Sequence, residues 1–314
     1  MINSHLLYHL SYSGIASKTS RFLRLNQPSQ IRVRWLILQQ INPFYTAMSS
    51  PTNGVSRRTA LVTGGSGGIG LELAKVLARN GFDIVLVART RDTLEAAAGQ
   101  LEGKYEVNVH VFAADLRRPE APESIFDFLR NENIPVDILV NNAGFGLGGE
   151  FAETDLDREL EMIQVNIAAP THLTKLFLPA MIKRRWGRIL NLASTAAFQP
   201  GPLQAVYYAS KAYVLSLSEA LAEELRNTGV SVTALCPGPT HTDFASTAGV
   251  GNSRLFTLFG VAKADDVAEY GFQAMMAGKR VAIPGFRNKL VAQANRFSPR
   301  TLSAKVARFA QENR

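Results

Sequence analysis

Tyr207 and Lys211 lie four residues apart in a strongly helical stretch, so they project from one face of one helix. A free tyrosine keeps its proton up to a pH of about 10, and a lysine ammonium beside it stabilises the phenolate, moving the hydroxyl toward the range where it trades a proton with a substrate oxygen. Tyr-x-x-x-Lys alone is a common helix-face pattern. Ser194 changes its weight, because it stands thirteen residues upstream, just past the strand-like run Ile189-Leu190-Asn191-Leu192. A hydroxyl there can hydrogen-bond a carbonyl oxygen and stabilise charge developing on it. Tyr208 would point about 100° away around the same helix and is read as packing or pocket wall.

A second chemical element comes earlier in the chain. Thr63-Gly64-Gly65-Ser66-Gly67-Gly68-Ile69-Gly70 follows a short β-branched run and leads into a helical pattern. Glycines there permit a tight turn, close approach of a pyrophosphate to the backbone, and packing of helix on strand, while the helix N-terminus presents free N–H groups to the anion.

Elements of two kinds must position these groups. Strand-like runs cover 59–63, 83–88, 107–113, 136–141, 187–192, 230–236 and 280–284, and helical patterns cover 71–79, 93–101, 123–131, 156–183, 209–227 and 265–277. The alternation of β and α, with strands as apolar as Ile84-Val85-Leu86-Val87-Ala88, predicts one α/β domain: a doubly wound parallel sheet of Rossmann type, about seven strands, covered by helices on both faces.

Composition narrows the function classes. The 314 residues are 46% hydrophobic and 19% charged, which argues for a globular chain. Cys236, the single cysteine, excludes an intramolecular disulfide and a thiolate metal cluster, and it reads as a small buried filler. His241 has no second histidine or carboxylate at metal spacing, so no metal site is expected. The net charge of +8 is concentrated in a leader, where residues 1–47 hold Lys18, Arg21, Arg24, Arg32 and Arg34 and no Asp or Glu. That distribution speaks against nucleic-acid binding by the body. Residues 1–55 are read as a basic leader or linker, with Met48 as an alternative start; a cytoplasmic protein is expected, or an organelle-targeted one if 1–47 are a transit peptide. Residues 56–285 are the predicted catalytic domain. Residues 286–314 are a basic helical tail, folded over the domain or lying on a membrane or partner.

Thr-Gly-x-x-x-Gly-Ile-Gly at 63–70, Asn141-Asn142-Ala143-Gly144, Ser194, Tyr207-x-x-x-Lys211 and Pro237-Gly238 stand in one order. This chain resembles the short-chain dehydrogenase/reductase family, classical branch, over residues 56–285. The resemblance implies an oxidoreductase acting on a carbonyl or alcohol, with Tyr207 as acid/base, Ser194 on the substrate oxygen, and Asn166 organising a water relay to Lys211. It places Gly64, Ser66, Gly68, Ile69, Gly70, Asn142, Ala143, Tyr207 and Lys211 at a dinucleotide, Asp115 at its adenine, and Pro237, Gly238 and Thr242 at its nicotinamide carboxamide. It also implies a homodimer or homotetramer. Ala88-Arg89 ends the second strand where an NAD enzyme carries an acid, and Arg89, assisted by Arg91, could pair with a 2′-phosphate, so NADP(H) is expected. A substrate pocket built from 145–151, 198–204 and 244–259, with Phe145, Leu147, Phe198, Leu203, Phe244, Leu255, Phe256 and Phe259, suggests a hydrophobic carbonyl or alcohol. The competing reading is a catalytically silent NADP(H)-binding sensor or scaffold, against which the joint presence of Tyr207 and Lys211 counts.

Overall fold

The computed structural model describes residues 57–312 apart from residue 252 and residues 255–259. The leader, its alternative start at Met48, and the pocket candidates Leu255, Phe256 and Phe259 lie outside the described residues.

Seven strands form one parallel sheet: β1 (Thr59–Thr63), β2 (Asp83–Ala88), β3 (Val109–Ala113), β4 (Ile138–Asn141), β5 (Gly187–Leu192), β6 (Val230–Leu235) and β7 (Val281–Ala282), in spatial order β3-β2-β1-β4-β5-β6-β7. Alternate side chains of each strand feed two cores. Ala60, Val62, Ile84, Leu86, Ile138 and Val140 meet one layer of helices. Leu61, Val85, Val87, Leu139 and Ile189 meet the other. Burial on both faces is why these strands read as continuous apolar runs.

Between the strands run α1 (Gly68–Arg79), α2 (Arg91–Lys104), α3 (Ala121–Asn131), α4 (Leu156–Ile163), α5 (Ala169–Lys183) and α6 (Ala205–Glu224), followed by the one-turn α7 (Phe244–Thr247) and by α8 (Ala264–Met276). Two helices follow β7, α9 (Phe286–Phe297) and α10 (Arg300–Gln311). On α1, Leu73, Ala74, Val76 and Leu77 bury one stripe against the sheet, and the helix packs on α8, where Phe82 and Phe272 meet edge to face at 6.5 Å.

One expected helix is corrected. The pattern at 156–183 predicts a continuous helix, but residues Gln164–Ala168 form a π-turn between α4 and α5, with the Ala169 N–H bonded to the Gln164 carbonyl five residues back. Pro170 supplies a physical reason: it has no N–H, so it cannot make the α-type bond to the carbonyl of Asn166. A second boundary also moves. α6 begins at Ala205, four residues before the predicted start, and places Tyr207 in its first turn.

Strand order reverses at β1 and β4. Ligands of open α/β sheets bind outside the strands' carboxyl ends at such a point, and there the sequence candidates gather.

Candidate active site

A cavity of about 500 Å³ opens over the carboxyl ends of β1, β2, β4, β5 and β6. Gly64 and Gly68 adopt φ of +65° and +53°, a left-handed backbone that favours glycine. Ser66, Gly67, Gly68 and Ile69 line the cavity, and a side chain at Gly67 would meet nothing within 4 Å. α1 has no side-chain cap and no acid in its first turn, so its leading N–H groups are left for an anion. These residues fit a dinucleotide's pyrophosphate.

The loop is fixed from below by β4. Asn142 Nδ2 donates to the carbonyls of Thr63 (2.9 Å) and Gly64 (3.2 Å), and Thr63 Oγ1 accepts from the backbone N–H of Asn142 (3.0 Å) and Ala143 (3.1 Å). Gly70 does not line the cavity. A Cβ there would stand 2.2 Å from the Gly64 carbonyl oxygen, so its glycine serves the approach of α1 to the loop rather than a cofactor contact. Asn141, read as structural, donates to Asn191 Oδ1 (2.8 Å) and Thr174 Oγ1 (3.1 Å), and Asn191 donates onward to Ser218 Oγ (2.9 Å). That buried chain joins β4 to β5, α5 and α6.

At the other end of the cavity the reacting candidates converge. Ser194 ends the turn after β5, where its Oγ accepts from the Ala196 N–H at 3.1 Å and caps the 3₁₀ turn Thr195–Phe198. Tyr207, buried in the first turn of α6, lines the same cavity as Ser194. Burial holds the Tyr207 proton on more tightly than in a free tyrosine, and the nearby Ser194 side chain opposes that shift. Lys211, only 5% exposed, donates to the Leu192 carbonyl at 2.8 Å and lies 5.8 Å from the Tyr207 ring centre. Burial of its ammonium lowers its pKa from 10.5 to about 8.

Asn166, in the π-turn, sits behind them and outside the cavity lining. Its Oδ1 accepts from the Phe145 N–H at 3.1 Å, and its Nδ2 donates to the Phe145 carbonyl (2.9 Å) and Ser210 Oγ (3.1 Å). A Cβ on Gly144 would meet Asn166 Oδ1 at 2.9 Å and Lys211 Nζ at 3.4 Å, so both polar groups face the same glycine. The described residues contain no cluster of three or more His, Cys, Asp or Glu able to hold a metal.

A family model described as short chain dehydrogenase matches residues 58–252. The chain belongs to the short-chain dehydrogenase family. As an oxidoreductase of that family, it is 35% identical over 191 residues to the short chain dehydrogenase MYCFIDRAFT_6125 of Pseudocercospora fijiensis, a match covering 60% of this chain and 62% of that relative's length. It is 33% identical over 232 residues to hydroxysteroid dehydrogenase-like protein 1 of Gallus gallus, covering 73% of this chain and 68% of the relative. Among solved structures, a short-chain dehydrogenase from Sphingobium yanoikuyae in complex with NADPH superposes with a TM-score of 0.69 at 32% identity, covering 76% of this chain and 94% of that one.

Other sequence candidates of this short-chain dehydrogenase fall as follows. Arg89 and Asp115 line the cavity together with Thr90, which sequence reading passed over; Thr90 is the N-cap residue of α2 and its hydroxyl makes no cap bond. Asp115 is held below its usual pKa chiefly by hydrogen bonds from Arg117, whose guanidinium lies 2.6 Å away. Arg91 turns from the cavity to Glu95 at 3.5 Å. Pro237, Gly238 and Thr242 line the cavity, and Thr242 Oγ1 also accepts from the Phe244 N–H at 3.3 Å. His241 is exposed outside it, and Cys236 is buried at the end of β6.

The substrate end is more polar than its sequence suggests. Phe145 and Phe244 line it, but Leu147, Phe198 and Leu203 do not, Leu147 packing behind it in the cluster of Met162, Tyr207 and Tyr208. Their places are taken by Arg158, Gln199, Gln204, Tyr208, Asn288, Val291 and Gln311. Gln311, from α10, donates to the Tyr208 hydroxyl at 2.6 Å across 103 residues of chain, a contact that no local pattern reports.

Proposed function

We propose that this oxidoreductase is an NADP(H)-dependent reductase, and in reverse a dehydrogenase, of a carbonyl or alcohol substrate. The observation that carries the reading is the convergence of Ser194, the buried Tyr207 and, one turn along the same helix, Lys211 on one cavity with the glycine loop. A bound nicotinamide supplies the hydride. The protein's own residues do the remaining work. Tyr207, kept protonated by burial, donates its proton to the substrate oxygen as negative charge develops there; Ser194 Oγ hydrogen-bonds the same oxygen. Lys211 holds a positive charge near the phenolate that remains, and Asn166 fixes the backbone of Phe145 beside it.

Arg89 at the end of β2, with the free Thr90 hydroxyl and the α2 N-terminus beyond it, supports a 2′-phosphate and hence NADP(H). The NADPH complex of the Sphingobium yanoikuyae relative agrees. Phe145, Phe244 and Val250 favour a largely hydrophobic substrate, and the surrounding amides favour one that also carries a polar group.

Fluorescence titration of the full chain with NADPH and NADH, followed by NADPH oxidation against hydrophobic aldehydes, ketones and 3-oxoacyl thioesters, tests the reading. Preferential NADPH binding with turnover of one panel member is expected. Tight binding with no turnover across a broad panel would favour a sensor, and no binding of either cofactor would overturn the reading.

A further inference from the structure

A helix that packs on its own domain normally buries its large apolar residues and exposes its small and polar ones. α10 does the reverse. Ser303, Ala307 and Ala310 face the body and are buried, whereas Leu302, Val306 and Phe309, one stripe at i, i+4 and i+7, are exposed by 52 to 57%. α9 repeats the inversion: Ala292 is buried, and Phe286, Leu290 and Phe297 are exposed, Phe297 by 88%. Six large apolar side chains are thus left in water on two consecutive helices, beyond the scattered exposure ordinary for a surface.

The charge that the two helices themselves carry has one sign. Residues 286–311 hold six basic residues and no acidic one. Arg287, Lys289, Arg300, Lys305 and Arg308 are all exposed. Arg308 reaches Glu150 at 2.6 Å and Glu312 at 3.5 Å, Lys289 lies 5.7 Å from the Tyr270 ring centre, and Arg254 lies 4.5 Å from that of Phe309.

We infer that α9 and α10 form a membrane-surface module that seats its exposed apolar stripes in the interface of an anionic lipid bilayer, with the surrounding arginines and lysines on the headgroups. Apolar residues flanked by cations, with no helix among the described residues long and apolar enough to span, are the physical requirements for lying on such a surface. Charge decides the occupant. An isologous contact between two copies would set Arg287, Lys289, Arg300 and Lys305 against their own counterparts, and the leader sequence, with five basic and no acidic residues over 1–47, offers them no complementary charge. The inward side of the same two helices supplies Asn288, Val291 and Gln311 to the cavity wall, so seating would bring the substrate end of the cavity to the lipid surface.

Co-sedimentation of the full chain with vesicles of phosphatidylcholine, alone or mixed with phosphatidylserine, tests this. Binding to the mixed vesicles is expected, weakened by salt and at least about tenfold weaker on the neutral ones. Phe297→Ser with Phe309→Ser should lower the partition coefficient by about tenfold or more, and Arg300→Gln with Lys305→Gln should remove most of the preference for phosphatidylserine. All these positions lie outside the cavity lining, so NADPH affinity and turnover of a water-soluble substrate should stay unchanged, which separates failure here from failure of the reductase reading. Undiminished vesicle binding by the Phe297→Ser, Phe309→Ser protein would assign the lipid contact to another segment and overturn the inference. So would a lipid-free dimer that those substitutions dissociate.

Discussion

Tyr207 combines two demands that oppose each other in water. In the proposed reaction it must hold a proton at neutral pH, which burial secures, and release that proton to a substrate oxygen, with Ser194 and Lys211 beside it. Tyr207→Phe removes the donor without changing the cavity's shape. It should lower kcat by about 10² to 10⁴-fold, read from NADPH absorbance, with NADPH affinity preserved; unchanged turnover would remove Tyr207 from the chemistry. The pH dependence follows from Lys211. Its pKa is lowered to about 8, so the ammonium is present below that pH and lost above it, while Tyr207 remains protonated through the same range. Reductive kcat/KM should therefore be level near neutrality and decline as pH rises through about 8, and Lys211→Arg, whose charge persists, should remove or raise that limb. At the far end of the cavity, Arg89→Asp replaces the proposed phosphate partner by a repelling carboxylate. The ratio of NADPH to NADH affinity should fall at least about tenfold, and an unaltered ratio in parallel titrations would place the 2′-phosphate contact elsewhere.

Element by element, legibility tracked how local the determining physics is. β1, β2 and β5 fall on their predicted bounds because each has an apolar centre buried on both faces, Ala60–Val62, Ile84–Val87 and Ile189–Leu190, preceded by a polar residue. The π-turn was hidden because the pattern over 156–183 is periodic on both sides of it. Its sequence signal, a proline four residues after a buried asparagine, is short and carries meaning only with the Phe145 backbone in place. Gly144 is legible in the sequence only as part of the Asn141-Asn142-Ala143-Gly144 motif: the packing reason for its glycine comes from Asn166 and Lys211, both distant in sequence. The π-turn positions Asn166 as a bidentate partner of one backbone residue. Asn166→Ala would leave the Phe145 N–H and carbonyl without these bonds, at a cost of about 1–3 kcal/mol. Urea denaturation should show that loss as a lower midpoint at unchanged slope, and kcat should fall with it as the Phe145 segment loosens beside Lys211. A variant with wild-type stability and turnover would show that the turn holds its shape without the side chain.

For the whole molecule, the cavity has two ends with different owners. Its dinucleotide end is built by β1, β2 and β4 and the loops after them, legible, Thr90 apart, from the glycine motif, Arg89 and Asn142-Ala143. Its substrate end is closed by a tail whose contribution is a matter of tertiary folding: Gln311 reaches Tyr208 across 103 residues, and Asn295 Nδ2 on α9 donates to Gln199 Oε1 at 2.6 Å. Tyr208 in turn is packed so closely over Gly201 that a Cβ there would lie 2.1 Å from its ring. The wall at this end is therefore a stack of tail amide, tyrosine and glycine loop, and it stands next to Tyr207, whose ring centre is 6.1 Å from that of Tyr208. Ending the chain at Ser298 removes α10 and Gln311 while leaving Asn288, Val291 and every glycine-loop residue. NADPH affinity should then stay within about twofold of the full chain, because none of its candidate partners is lost. The substrate's KM should rise about tenfold or more, since the reacting end gains water and loses a buried wall. Gln311→Ala in the full-length chain separates the two causes: a smaller rise in KM would assign that part to the amide and the remainder to the helix. Equal losses of NADPH affinity and substrate affinity on truncation would instead mean that α10 supports the whole sheet edge, and the division of the cavity would be wrong.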